Sequence, residues 1–200
     1  MVYPHISTSA DLLKSTVRLD ELFPFLKQQG TVSAAIVNTK LYGILPFWEA
    51  CKKAGIHAVA GLSAYIEFDG QEYPVVLYAR SNAGYQNLLK ITSALSTRDK
   101  NSIPEQWLKA YKDGLVCAIP NSIQWTLTDR SDAFRYLQSV FGAECFASVS
   151  RPGGNGRNTK KGSWRNAPNS GLPSLPHKNA AICAKKMHLL LKWLPQSAKA

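Results

Sequence analysis

Apolar and polar positions follow two alternating rhythms over residues 2–150. Short apolar runs of strand length recur, and between them apolar residues return every three or four positions, the period of a helix with one buried face. Leu19, Leu22, Phe23 and Leu26 predict a first helix, with Asp20 and Glu21 near its start, where the helix dipole favours anions. Pro24 interrupts that run and predicts a kink or a later start. Val32-Ser33-Ala34-Ala35-Ile36-Val37, after Gly30, has no polar alternation and predicts a strand buried on both faces. A helix is expected over 44–54, with Phe47 and Cys51 on one face and Gly55 as its stop. Residues 58–61 read as the next strand. Two further strands, over 64–68 and 73–78, flank Asp69-Gly70, a hairpin turn pair. Helices are expected over 84–96, over 104–112 with proline in the first turn, and over 129–141; strands over 115–119 and 145–149.

Strands separated by helices imply an α/β fold built from βα units around a mostly parallel sheet, open or closed into a barrel. The pattern stops at Arg151. Residues 151–200 hold ten of the 24 Lys and Arg, no Asp or Glu, five Gly and five Pro. The net charge of +11 therefore belongs almost wholly to this tail, because the first 150 residues carry fourteen basic against thirteen acidic side chains. Two units follow: a nearly neutral domain over 1–150 and a basic Gly/Pro-rich tail over 151–200.

No apolar run approaches the roughly 18 residues that span a bilayer. The start, Met1-Val2-Tyr3-Pro4-His5, has neither the basic nor the apolar stretch of a secretory signal, so a cytoplasmic protein without membrane contact is expected. Cys51, Cys117, Cys145 and Cys183 are scattered and lack metal-ligand spacing, which reads as small hydrophobes, or as an incidental thiol at Cys183. No G-x-S-x-G elbow occurs. His57, entering a strand, reads as core or surface rather than as a base. Asp129 and Asp132 fit the first turn of a helix better than an acid pair. Gly153-Gly154-Asn155-Gly156 lacks the strand before it and the Gly-Lys-Ser/Thr after it that a phosphate loop needs.

Three colinear stretches add a resemblance. Residues 41–56, from Leu41-Tyr42-Gly43 to Lys52-Lys53-Ala54-Gly55-Ile56, resemble the segment after the second metal motif of bacterial DnaE-type DNA polymerase III alpha subunits. Leu77-Tyr78-Ala79-Arg80-Ser81-Asn82-Ala83-Gly84-Tyr85-Gln86-Asn87-Leu88 is similar to the same family's "LLAK-N-x-x-GY-x-NL" stretch, and residues 5–13 resemble its opening "H-x-H-S-x-x-S-L-L". The resemblance implies an N-terminal PHP domain, a distorted β/α barrel, here incomplete and followed by an irregular tail. Its intact members hold metal ions with H-x-H on the first strand, T-D-H after the second and Glu after the third, and such a site can hydrolyse phosphoesters.

Carried over position by position, those ligands fall on His5, Ser7, Val37, Asn38 and Ser63, and His5 alone keeps a ligand's chemistry. Hard divalent cations require anionic oxygens or imidazoles. The domain is therefore expected to hold no metal or other cofactor and to be catalytically silent.

The tail reads best as translation in a shifted frame. Back-translated with free degenerate bases, residues 178–200 permit a "Y-L-x-x-E-D-A" leading into "A-I-R-x-G", which resembles the family's stretch after its last metal motif. On this reading the barrel is truncated and the tail is disordered, without an evolved role. The expected parent function is DNA-directed DNA synthesis in replication by a full-length polymerase using Mg and DNA, with this region as a non-catalytic scaffold contacting the polymerase body and replisome subunits. The alternatives are an active metal-dependent PHP phosphoesterase or exonuclease, and a basic protein binding nucleic acid through its tail.

Overall fold

The computed structural model describes residues 1–98, 100, 102–120 and 131–147. The predicted tail, Asp129 and Cys183 lie outside the described residues. In chain order the elements are β1 (Val2–Ile6), α1 (Leu19–Gln28), β2 (Ser33–Asn38), α2 (Ile44–Ala54), β3 (His57–Phe68), β4 (Gln71–Ala79), α3 (Asn82–Ser96), β5 (Ser102–Pro104), α4 (Glu105–Ala110), β6 (Leu115–Ile119), α5 (Ser131–Phe141) and β7 (Cys145–Ala147).

Among the described residues one seven-stranded sheet forms, in the order β1-β2-β3-β4-β6-β7, with β5 added beside the far half of β3. The pairs β1–β2, β2–β3, β3–β5 and β6–β7 are parallel, and β4 alone runs against its neighbours. The expected mostly parallel α/β sheet is present, curled into a half-barrel. The curl shows in one contact: Tyr78 on β4 donates its hydroxyl to the Pro4 carbonyl on β1 at 2.9 Å, although β2 and β3 lie between them in the sheet.

Local chemistry explains the boundaries. Gly55 closes α2 at φ +69°, in the left-handed region where a side chain is strained, as its position after the apolar stripe predicts. Asp69 (φ +50°) and Gly70 (φ +70°) make the tight turn between β3 and β4 with two positive φ values, the geometry that matches strand twist. Ser81 caps α3 by accepting from the Gly84 N–H at 3.1 Å.

Three expectations are corrected. Helix α1 starts at Leu19, ahead of Pro24, because Leu22, Phe23 and Leu26 are buried together and their packing outweighs the missing backbone donor. Residues 57–68 form one strand rather than two. Its first half pairs with β2 and its second with β4 and β5, and the β2 and β4 ladders overlap at Gly61 and Leu62, which keeps the strand continuous. Pro104 ends β5 and stands at the N-cap of the shorter α4, rather than inside the helix.

The sheet separates three apolar clusters. Leu26, Ile36, Phe47 and Cys51 join α1 and α2 to the β1–β2 side. Leu62, Leu77, Leu88, Ile91, Leu108 and Leu137 join α3, α4 and α5 to the other strands. The third cluster has no helix residue: Ala35, Val37, Val59, Val76, Tyr78, Val116 and Ala118 pack on one another, with Phe146 against them, inside the curl.

Candidate functional site

In β/α barrels the chemistry sits at the C-terminal ends of the strands, where loops from several strands converge. Here that region is formed by the segment after β1 and the segment between β2 and α2. The register sets Ile6 beside Ile36, so Ser7 and Thr8 come alongside Val37 and Asn38; Val37 in turn pairs with Gly61 on β3. Ser63 lies opposite Val76. The fold thus brings Ser7, Val37 and Asn38 together, with Ser63 on the same inner face as Val76.

Val37 is 1% exposed and belongs to the inner apolar cluster. It closes over Gly61 together with Tyr78: a Cβ added at Gly61 would lie 2.9 Å from Val37 Cγ2 and 3.1 Å from Tyr78 Cδ1. Asn38 is equally buried, and its amide is fully engaged. Its Oδ1 accepts from the Thr8 N–H at 3.1 Å, and its Nδ2 donates to Thr8 Oγ1 at 3.2 Å and to the Tyr42 carbonyl at 3.0 Å. Ser7 donates its hydroxyl to the Val37 carbonyl at 3.0 Å, while Ser15 donates to the Ser7 carbonyl at 2.8 Å. Asp11, also buried, accepts from the Thr39 N–H at 2.9 Å and from the Thr39 hydroxyl. These bonds clamp the two loops to each other. Their polar groups are turned toward protein partners, as burial demands.

His5 is exposed at the end of β1, and burial of its surroundings pulls its imidazole below the usual histidine range. His57, at the start of β3, is lowered for the same reason, and its Nε2 is buried without a hydrogen-bond partner. It sits at the strand's N-terminal end, away from the Asn38 clamp. Asp132 accepts from Arg135 at 3.2 Å on the surface of α5, in keeping with a first-turn role.

Tested atom by atom, these positions do not fit a hard divalent cation. Val37 has no donor, Ser7 and Ser63 offer only neutral hydroxyls, and the Asn38 carbonyl oxygen is already bound to a backbone N–H. Among the described residues no group of three or more His, Cys, Asp or Glu is placed to hold a metal ion.

Sequence reasoning missed Tyr78, whose ring fills the space above Gly61 and whose hydroxyl bridges to β1. A signal was present: in the Leu-Leu-Ala-Lys pattern that this stretch resembles, Tyr78 stands at the second leucine.

Known proteins place the chain. The model of the PHP domain matches residues 4–137, and the chain belongs to that family. It is 33% identical over 157 residues to the DNA polymerase III subunit alpha of Bacillus subtilis strain 168, covering 72% of this chain and 14% of that protein. With the corresponding subunit of Staphylococcus epidermidis it shares 37% identity over 113 residues, 56% of this chain and 11% of that one. The similarity falls in the N-terminal region of such subunits. The chain therefore spans only about one-seventh or less of these relatives. Among solved structures, an amidohydrolase from Chromobacterium violaceum with bound sulfate and no metal superposes with a TM-score of 0.50 at 9% identity. The match covers 72% of this chain and 75% of that one, a likeness of fold alone.

Proposed function

We propose that this PHP domain is a non-catalytic scaffold of the DNA polymerase III alpha type, in which apolar packing has taken the place of a cation site. The observation that carries the reading is Val37, buried in the inner cluster where an intact family member is expected to present a carboxylate. A carboxylate there would need a cation or a donor to offset its desolvation, and Val76, Tyr78 and Val116 share its cluster with hydrocarbon instead. The clamped loops then serve shape. Leu12 (82% exposed), Leu13 and Tyr42 on these loops and Leu45 (65% exposed) in the first turn of α2 are turned outward, exposed apolar side chains of the kind that mark a contact.

In a full-length subunit the occupant of that surface is the remainder of the alpha chain. Template-directed DNA synthesis, with its Mg ions, DNA and replisome partners, would belong to segments beyond the matched region. Such a setting is cytoplasmic.

The test is direct. The purified chain is incubated with manganese or zinc, desalted, and assayed for bound metal by elemental analysis and for hydrolysis of p-nitrophenyl phosphate and single-stranded DNA. Metal far below one equivalent and no turnover are expected. Stoichiometric metal with turnover that a chelator abolishes overturns the scaffold reading.

A further inference from the structure

Cys117 and Cys145 lie far apart in sequence, yet the parallel register of β6 and β7 makes them direct partners. Neighbouring strands are about 4.8 Å apart, within the Cα separations of about 4.4–6.8 Å that disulfides bridge. Both side chains pack into the same apolar cluster, Cys117 within it and Cys145 against it. They are unequal: Cys117 is fully buried in the core under α5, whereas Cys145 is partly exposed where β7 begins. Among the described residues β7 spans Cys145–Ala147 and pairs with β6 alone, so a small shift of its backbone strains no second ladder there.

We propose that Cys117 and Cys145 form an oxidisable dithiol, a modification site for hydroperoxides that closes a disulfide between β6 and β7. The Cys145 thiolate attacks the peroxide oxygen. An S–O bond forms, the O–O bond breaks, and hydroxide leaves and takes up the proton shed by Cys145, giving water and a sulfenic acid. The Cys117 sulfur then attacks the Cys145 sulfur; the S–O bond breaks and its oxygen departs as water with the Cys117 proton. Two thiols and one hydrogen peroxide yield one disulfide and two waters, the thiols supplying both electrons.

The division of labour follows from the contact. The Cys117 thiol beside it holds the Cys145 thiol below the usual range, favouring the thiolate that attacks, and the same contact pushes Cys117 well up. A low-pKa, accessible cysteine beside a resolving one is the arrangement that oxidises reversibly rather than onward to sulfinic acid. Cys51 is an internal control, since it is fully buried and burial pushes its thiol up to about 12.

The 200-residue chain is treated with hydrogen peroxide, alkylated, digested and mapped by mass spectrometry. A peptide linking Cys117 to Cys145 is expected, lighter by two hydrogens and released by dithiothreitol, with Cys51 still reduced. In Cys117→Ser the link is lost and Cys145 becomes labelled by dimedone, the sulfenic acid trap. In Cys145→Ser, Cys117 stays reduced. The proposal is overturned if both thiols of the folded wild-type chain remain reduced, if dimedone accumulates on wild-type Cys145 beside a free Cys117, or if the dominant link joins either one to Cys183.

Discussion

Gly84 and Gly114 are in backbone contact: a Cβ built on Gly84 would stand 1.9 Å from the Gly114 carbonyl oxygen. The first turn of α3 thus lies directly on the turn that leads into β6. The contact is fastened by Ser81 capping Gly84, by the Arg80 N–H donating to the Gly114 carbonyl at 2.9 Å, and by Asn87 Nδ2 donating to the Asp113 carbonyl at 2.9 Å. The stretch that carries much of the family resemblance is therefore a packing device.

Gly84→Ala is expected to destabilise the domain by about 3 kcal/mol, since the obstacle is backbone that cannot swing aside. Gly114→Ala is expected to cost at least as much, because Gly114 also sits at φ +72°. Urea unfolding followed by circular dichroism measures both; a loss under about 1 kcal/mol for either contradicts the contact.

Val37→Asp restores the acidic residue type that the family resemblance expects there, and it should not restore a metal site. It places a carboxylate among Val76, Tyr78 and Val116 without a partner, lowering stability at pH 7 by about 3 kcal/mol or more. The loss should shrink at pH 4, where the side chain is neutral. Equal losses at both pH values, or stabilisation by added manganese, would count against an apolar interior.

Asn38→Ala removes one acceptor and two donors at a buried site, leaving the Thr8 N–H and the Tyr42 carbonyl without their partner. A loss of about 2 kcal/mol is expected. Hydrogen exchange at the Thr8 amide should accelerate well beyond that of the β2 core. An unchanged Thr8 amide would show that the clamp is not what orders the loop.

Half-buried His57 has its pKa lowered by burial from 6.5, and His5, whose side chain reaches the surface, shifts the same way through partial desolvation. The unfolded chain then binds protons that the folded chain does not. Stability should be complete above about pH 7 and fall as pH drops through 6.5 toward the lowered folded values. His57→Gln should flatten part of this slope, since protonation would put a donor on a buried Nε2 that has no acceptor. Unfolding free energies at several pH values between about 5 and 8 check the sign; a stability that rises on acidification contradicts it.

Much of the fold was legible because its cues are local. The bounds of α2 and β6, the Asp69-Gly70 turn and the stop at Gly55 depend on a few adjacent residues and their allowed φ and ψ. The candidate positions Ser7, Val37, Asn38 and Ser63 were legible through the family resemblance alone, because nothing in Val37 or Asn38 by itself announces a former ligand. The weaknesses lay where distant partners compete. Pro24 sits within α1 because three apolar neighbours are buried with it, and residues 57–68 stay one strand because three other strands pair along it.

The amino-acid order alone determined the bounds of α2 and β6, the Asp69-Gly70 turn and the stop at Gly55, and which residue types stand at the five candidate positions. Tertiary structure decided the rest: that Val37 and Tyr78 meet over Gly61, that Asn38 spends its amide on Thr8 and Tyr42, and that Cys117 meets Cys145. The physical reason is range. Backbone preference acts over a few residues, whereas strand register and curl emerge only when the whole sheet buries its apolar faces at once.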